Sequence, residues 1–199
     1  MPYPTVTGLI PVMAVIRAFI AVQLPVEVKE ALGNVSRTLD SQVTRGAVRW
    51  VRPEQMHLTL RFLGDTDVQS LPAVQAALDA VATGYKPFTL QLEGIGCFPN
   101  ARRPRVIWVG LSDDAGHLQP LKVALDERLD PLGWLPEDKP FRAHLTLGRV
   151  KDERAAQGAA WTGDVPRLPV PVDAIHLIES RLQPSGPVYT LRHSSPLTG

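Results

Sequence analysis

The chain has 199 residues, of which 44% are hydrophobic and 21% are charged, and its formal net charge is +1. This composition is typical of a globular protein built as one large domain or as two lobes that share a core. The near-neutral charge argues against tight binding along a nucleic-acid backbone, so a nucleic acid would have to be held at one end. The single cysteine, Cys97, excludes a disulfide framework and a thiolate zinc site within one chain, and it fits a reducing cytoplasm.

The beginning of the chain has the features of neither a membrane span nor a secretory signal. The apolar stretch at residues 9–22 contains Arg17 and is too short to cross a bilayer, and no basic region precedes it. Residues 1–12 contain three prolines and show no periodicity, so we expect a peripheral N-terminal extension that is a candidate for disorder. Residues 13–199 are expected to form the functional domain, with no membrane contact.

The first half of the chain alternates strand and helix patterns. Apolar or alternating runs predict strands at residues 16–24, 48–51 and 56–63. Pro25 can open a helix after the first strand, with apolar residues at helical spacing up to Leu39. Ser70 can cap a second helix, in which apolar residues recur at the same spacing.

The second half of the chain continues in a similar order. Strands are predicted at residues 88–92, 105–111, 141–150, 172–182 and 188–192. A Gly-, Pro- and Arg-rich segment at residues 94–104 predicts a loop between the first two of these strands. Asp113 or Asp114 can start a third helix.

The order of these elements predicts an α+β fold. Each half of the chain contains an amphipathic helix, a proline-containing turn and then a strand of sequence His-Leu-Thr-Leu, which indicates a divergent internal duplication. We expect a single bilobal domain, in which two pseudo-symmetric lobes of antiparallel sheet with outer helices surround a central cleft. The duplication would place the two motif strands on opposite sides of that cleft.

The repeated tetrapeptide, at residues 57–60 and 144–147, is the most informative feature of the chain. In a strand, side chains alternate between the two faces, so each His shares a face with its Thr while the leucines occupy the other. A single His-x-Thr in a strand is weak evidence, because a lone histidine on a strand is usually structural. Two copies in matching contexts, each with an aromatic and a basic residue nearby, favour a pair of imidazoles that perform acid–base chemistry on a phosphate.

The segments around both motifs are similar to a known family. Residues 50–64 resemble the first signature of the two-histidine (2H) phosphoesterases, and residues 141–150 resemble the second. The most similar branch is the bacterial and archaeal RNA 2',3'-cyclic phosphodiesterases, also called 2'-5' RNA ligases. Further similarity lies in residues 17–21, 96–105 and 186–189, so the resemblance runs from about residue 16 to the end of the chain.

The resemblance implies a reaction and a role for each motif residue. It implies that His57 donates a proton to the leaving 3'-oxygen and that His144 accepts a proton from water, which leaves a 2'-phosphate end. From the residues alone the two rings are equivalent. Thr59 and Thr146 can supply hydroxyl groups to the non-bridging phosphate oxygens without adding charge. This scheme requires no metal and no cofactor, and the sequence offers no carboxylate or cysteine cluster for a metal.

Several further residues are candidates for substrate contacts. Arg149 matches a family arginine that contacts the phosphate, although strand alternation puts it on the face opposite His144, so the strand would have to twist or end there. Phe62 has the same offset from His57 and could stack on a terminal base, or it could be a core residue. Arg61 shares a face with His57 under regular alternation, which makes it a candidate RNA contact.

Two arginines of the loop at residues 94–104 and its end, Arg103 and Arg105, could guide an RNA end toward the cleft. At least one arginine of this loop is expected to be simply solvated. The expected partner is RNA with a 2',3'-cyclic phosphate end or a nucleotide, bound by a monomeric cytoplasmic protein. The same ring pair could also run the reaction backwards as weak 2'-5' ligation.

Three other functions stay open at this stage. The substrate could be a small cyclic nucleotide or a 2'-5' linked oligonucleotide, with unchanged chemistry. The chain could be a module that binds nucleotides or RNA ends without converting them, although a pure binder does not need two titratable groups. Metal-dependent hydrolysis with both histidines as ligands is disfavoured, because two neutral ligands make a poor site.

Overall fold

The structure is a computed structural model that describes residues 14–154, 156, 159–184 and 186–199. The predicted N-terminal extension, residues 1–12, lies outside the described residues. Within them, the chain forms three α-helices, which are α1 (Val26–Asp40), α2 (Leu71–Ala82) and α3 (Leu118–Leu129). The strands are β1 (Val15–Gln23), β2 (Val48–Trp50), β3 (His57–Asp67), β4 (Phe88–Phe98), β5 (Val106–Ser112), β6 (His144–Val150), β7 (Pro169–Val172), β8 (Ala174–Gln183) and β9 (Gly186–Pro196).

All the strands belong to one antiparallel sheet with two arms. The strand order is β7-β4-β5-β6-β3-β1-β8-β9, and β2 pairs with the outer part of β6. The arms β6-β5-β4-β7 and β3-β1-β8-β9 meet at one residue pair, Leu58 on β3 opposite Leu145 on β6. The predicted α+β fold with two lobes of antiparallel sheet is confirmed. The two motif strands lie side by side at the centre of the sheet, where each is the innermost strand of its own arm.

The two arms have the same internal order, as expected for a duplication. Moving outward from the centre, β3, β1, β8 and β9 correspond to β6, β5, β4 and β7, and a helix follows both β1 and β5. Each arm takes strands from both halves of the chain, since β8 pairs with β1 and β4 pairs with β5. Neither half of the sequence therefore contains a complete lobe.

One hydrophobic core supports the centre of the sheet. The leucines of both motifs, Leu58, Leu60, Leu145 and Leu147, are buried in it together with apolar residues of all three helices. This burial of the leucine face leaves the opposite face of the motif strands free to carry polar groups. A small second cluster, formed by Phe19, Ala21 and Ile178, lies apart from the main core on β1 and β8.

Local sequence signals located the helices better than their caps. Pro25 occupies the position before α1, as predicted. Ser70 precedes α2 but makes no capping hydrogen bond, because a short 3-10 turn comes first and Asp67 accepts the N–H of Gln69 there. Asp113 lies several residues before α3 and accepts the backbone N–H of Leu118 at 2.6 Å.

The strand pattern was incomplete in two places. Residue 94 is not the start of a loop, because Gly94 adopts a positive φ of 57° at a bulge and β4 continues to Phe98. The short strand β7 was not predicted, since it contains two prolines, which cannot donate ladder hydrogen bonds. It lies at the end of the sheet and pairs only with β4, where Val170 and Val172 are fully buried.

Candidate active site

The two His-x-Thr motifs lie side by side on neighbouring strands of the sheet. Because Leu58 lies opposite Leu145 in an antiparallel pair, the register places His57 opposite Thr146 and Thr59 opposite His144. Both leucines are fully buried, so all four polar side chains share the other face. In a regular sheet, residues in the diagonal positions of His57 and His144 are separated by about 7–8 Å. A single phosphate can therefore contact both rings.

Both imidazoles are held in the same tautomer by the backbone. Nδ1 of His57 lies 2.8 Å from the carbonyl oxygen of Gln55, and Nδ1 of His144 lies 2.8 Å from that of Arg142. A carbonyl oxygen only accepts hydrogen bonds, so Nδ1 must carry the hydrogen in both rings. Nε2 is then the atom that exchanges a proton, as a base in the neutral ring and as an acid in the charged ring.

A bulge after each threonine changes which residues join the site. In the β1–β3 pair, Thr59 and Arg61 have partners but Leu60 is skipped, and in the β5–β6 pair Leu147 is skipped in the same way. The extra residue reverses the alternation of the faces. Consequently Phe62 and Arg149 are exposed on the side of the histidines, as the predictions for these two residues required.

The same bulge makes the prediction for Arg61 wrong. Its side chain is turned into the core and is only 5% exposed, with Nη1 3.4 Å from Oδ1 of Asp126. Nη2 donates to the carbonyl oxygen of Leu135, and Asp126 also contacts Lys122. Arg61 therefore belongs to a buried ion-pair network and cannot contact RNA.

A cavity of about 500 Å³ opens over this face of the sheet. His57, Thr59, Thr146, Phe62 and Arg149 all line it, and His144 lies beside it, opposite Thr59. Its remaining charged lining residues are three more arginines, and no Asp or Glu lines it within the described part of the chain. These arginines are Arg17, Arg49 and Arg52. The cavity is thus suited to an anion.

The ring of His57 lies between two aromatic side chains. Phe19 stacks on it with 4.7 Å between ring centroids and 28° between planes, and Tyr189 contacts it edge-on at 5.3 Å. Burial lowers the pKa of His57 below its usual value, the hydrogen bond to Gln55 opposes this effect, and the charge of Lys29 lowers the pKa further.

The ring of His144 lies near two aromatic side chains and two arginines. Phe98 contacts it edge-on at 5.0 Å, and Trp108 lies 6.3 Å away. Burial lowers the pKa of His144, the carbonyl of Arg142 raises it, and the charges of Arg149 and Arg142 lower it again. Burial therefore favours the neutral form of both rings, and positive neighbours add to this preference at each, Lys29 at His57 and the two arginines at His144.

Comparison with known proteins agrees with the paired geometry. The family model described as LigT like Phosphoesterase matches the chain twice, over residues 22–108 and again over residues 109–189. The chain belongs to the LigT-like phosphoesterases. Its two matches correspond to the two halves of the chain that each contribute one His-x-Thr strand, which supports the predicted duplication.

Individual relatives cover most of the chain. An RNA 2',3'-cyclic phosphodiesterase of Methanothermobacter thermautotrophicus is 34% identical over 179 residues, which span 88% of this chain and 95% of that protein. The crystal structure of TT0787 of Thermus thermophilus has a TM-score of 0.75 and 34% identity, covering 92% of this chain and 98% of that one. Escherichia coli LigT complexed with 3'-AMP has a TM-score of 0.72 and 26% identity, covering 94% and 100%.

Two predicted RNA contacts lie away from the cavity of this LigT-like phosphoesterase. Arg103 and Arg105 are exposed and are not among the lining residues. Nε of Arg105 lies 3.6 Å from Oε1 of Glu153, so an acidic neighbour already partners its charge. The structure thus gives no support for the predicted guiding role.

Sequence reasoning missed several side chains of the site. Phe19 and Tyr189 fall in segments that carry the family resemblance, and that signal could have marked them. The backbone carbonyls of Gln55 and Arg142 could not have been found, because any residue type supplies a carbonyl. The side chain of Gln55 has a second function, since its Nε2 donates to the carbonyl of Pro187 at 2.5 Å and joins the β8–β9 turn to the His57 strand.

Two absences concern the residues that the structure describes. Among them, no group of three or more His, Cys, Asp and Glu side chains is placed to hold a metal ion. In the same residues, no helix is both long enough and apolar enough to cross a membrane.

Proposed function

We propose that this LigT-like phosphoesterase hydrolyses 2',3'-cyclic phosphate ends of RNA to 2'-phosphomonoester ends. The observation that carries the proposal is the pair of imidazoles on neighbouring strands, both with Nδ1 hydrogen-bonded to the backbone and Nε2 available for proton exchange. The names of relatives such as the M. thermautotrophicus RNA 2',3'-cyclic phosphodiesterase support the substrate class.

The proposed step uses one ring as a base and the other as an acid. Nε2 of neutral His144 takes a proton from water as the water oxygen forms a bond to phosphorus. The bond from phosphorus to the 3'-oxygen breaks, and protonated His57 gives its proton from Nε2 to that oxygen. The products are a 2'-phosphomonoester and a 3'-hydroxyl, and solvent then restores both protonation states. If a 5'-hydroxyl of a second RNA end attacks phosphorus in place of water, the same rings would break the bond to the 3'-oxygen and form a 2'-5' linkage, which is the proposed weak ligation.

The neighbouring side chains stabilise the negative charge on the phosphate. Thr59 and Thr146 line the cavity beside the two rings, where their hydroxyls can donate to the non-bridging oxygens. Arg149 is brought to this face by the bulge and places a positive charge near both His144 and Tyr189. Phe62 is 59% exposed in the cavity wall, where a terminal base can stack on it.

The proposal includes the setting of the enzyme. It acts as a monomer, because one chain contributes both motif strands and the cavity walls. It needs no metal or cofactor, since the two rings supply both proton transfers. A cytoplasmic location is in keeping with a single cysteine, Cys97, that burial keeps protonated by raising its pKa to about 11.

A second candidate substrate is a small cyclic nucleotide. It is favoured by the complex of E. coli LigT with 3'-AMP, which is a mononucleotide bound by a similar protein. The chemistry would be the same, and only the contacts beyond the terminal nucleotide would differ. A module that binds without turnover is the remaining alternative, and it predicts an unchanged ligand.

The test is one assay of an oligoribonucleotide with a 2',3'-cyclic end in the presence of EDTA. We expect conversion to a 2'-phosphate end, which a 3'-specific phosphatase leaves intact. His57→Ala and His144→Ala should each lower the rate by about 10²–10⁴-fold, the usual contribution of a general acid or base. His117→Ala is the control, because this histidine is exposed and lies outside the cavity. Full activity in either site variant, or no conversion by the unaltered protein, would contradict the proposal.

A further inference from the structure

Two arginines lie directly opposite each other at the edge of the site. Arg49 on β2 is the register partner of Arg149 on β6, and both are exposed on the cavity side. In an antiparallel pair, side chains in this relation lie about 4.5–5.5 Å apart at Cβ, and like charges there destabilise the sheet. The arrangement is understandable if an anionic ligand lies against both.

Arg49 has no carboxylate partner among the described residues. A Cβ atom placed on Gly186, in the β8–β9 turn, would lie 3.7 Å from Nη2 of Arg49. The guanidinium of Arg49 therefore extends across the mouth of the cavity toward that turn. Arg17, which also lines the cavity, differs because its register partner on β3 is Asp65. The positive charge of Arg49 is therefore available to a ligand in the cavity.

The charge in the cavity exceeds what the reacting group requires. A cyclic phosphodiester carries a single negative charge. The charge of Arg149 already lies near the place that this phosphate would occupy, since it lowers the pKa of the neighbouring His144. Four arginines line the cavity, whereas the whole chain has a net charge of only +1. A planar guanidinium is the side chain best suited to bind a phosphate through two hydrogen bonds.

We propose that Arg49 binds a second phosphate, the one on the 5' side of the terminal nucleotide. This proposal rests on the proposed function, because it assumes that the terminal phosphate lies at the two histidines. The enzyme then distinguishes a nucleotide that continues into a chain from an isolated cyclic mononucleotide. The selected ligands are ends that carry two phosphates flanking one nucleoside.

The test compares two unreactive ligands that differ only in this phosphate. Dissociation constants of 3'-AMP and adenosine 3',5'-bisphosphate are measured by calorimetry for the unaltered protein, Arg49→Gln and Arg45→Gln. Arg45 is the matched control, because it is an exposed arginine of the preceding loop and does not line the cavity. The unaltered protein should bind the bisphosphate about ten- to a hundredfold more tightly, as expected for a hydrogen-bonded charge pair.

The variants decide between the outcomes. In Arg49→Gln the ratio of the two constants should fall to within about threefold of one, whereas Arg45→Gln should keep it. An equal affinity of the unaltered protein for both ligands would overturn the proposal, as would a ratio that survives in Arg49→Gln. The measurement involves no turnover, so it separates the two proposals. If the protein prefers the bisphosphate but does not hydrolyse a cyclic-ended RNA, the second phosphate site stands and the proposed reaction is rejected.

Discussion

Arg61 and Phe62 are neighbours in sequence, but the bulge at Leu60 predicts that replacing them has opposite effects. Arg61→Met should lower stability and leave substrate binding intact, because its side chain is 5% exposed and contacts Asp126 in the core. Phe62→Ala should weaken substrate binding and leave stability nearly unchanged, because Phe62 is 59% exposed in the cavity wall. Regular alternation along β3 would predict the reverse.

The size of the stability loss follows from the contacts of the network. Asp126 contacts both Arg61 and Lys122, whose side chains are 5% and 4% exposed. Arg61→Met leaves Asp126 paired with Lys122 but removes the hydrogen bond that the charged guanidinium donates to the carbonyl of Leu135, which is worth about 1.5–3 kcal/mol. Asp126→Asn leaves two buried cations without their carboxylate and should cost about 3–5 kcal/mol.

The expected effect of Phe62→Ala is weaker binding of the substrate. Loss of one base–aromatic stack is worth about 1–3 kcal/mol, which corresponds to a roughly 5- to 150-fold weaker interaction with the RNA end. As a surface substitution it should change the free energy of unfolding by no more than about 0.5 kcal/mol. Urea unfolding measures the stability of each variant, and kcat/KM on a cyclic-ended oligonucleotide measures its interaction with the substrate. An Arg61→Met protein of normal stability and tenfold lower kcat/KM would refute the assignment of faces.

Two further predictions concern the second motif strand. Burial is the main cause of the lowered pKa of His144, and the positive charge of Arg149 lowers it further, so Arg149→Gln should raise this pKa. A general base must be neutral, so the acid limb of the pH profile of kcat/KM should move to higher pH, and an unmoved acid limb would argue against His144 as the base. Gly148→Ala should cost about 1–3 kcal/mol in urea unfolding, because the new Cβ would lie 2.7 Å from Cγ1 of Val48, and unchanged stability would show that the strands can separate.

The features predictable from sequence were those that depend on local pattern. Alternation within four residues placed His57 and Thr59 on one face and Leu58 on the other, and the structure agrees. The same rule failed at Arg61, because a bulge is a property of strand pairing and has no signal in a short apolar run. Only the family resemblance favoured Arg149 against the alternation rule, and the bulge at Leu147 explains how it reaches the site.

Tertiary arrangement was harder to derive than element order. The duplication was visible in sequence, but the exchange of strands between the arms was not, because pairing of β1 with β8 joins residues about 160 positions apart. This exchange also determines the aromatic wall of the site. Phe19 on β1 and Tyr189 on β9 contact each other at 5.2 Å only because β8 lies between their strands.

The pseudo-symmetry of the two motifs makes the surroundings of the rings decisive for the direction of cleavage. His57 and His144 have equivalent register positions and equivalent carbonyl partners, so nothing in the backbone distinguishes acid from base. The side chains do distinguish them, since Arg149 and Arg142 lie near His144, whereas His57 is held between Phe19 and Tyr189 and has Lys29 as its cationic neighbour. A bound phosphate would raise the pKa of both rings, and positive neighbours oppose this rise at each ring, Lys29 at His57 and Arg149 and Arg142 at His144. The assignment of His57 as the donor to the 3'-oxygen therefore stays a prediction, which the family resemblance supports.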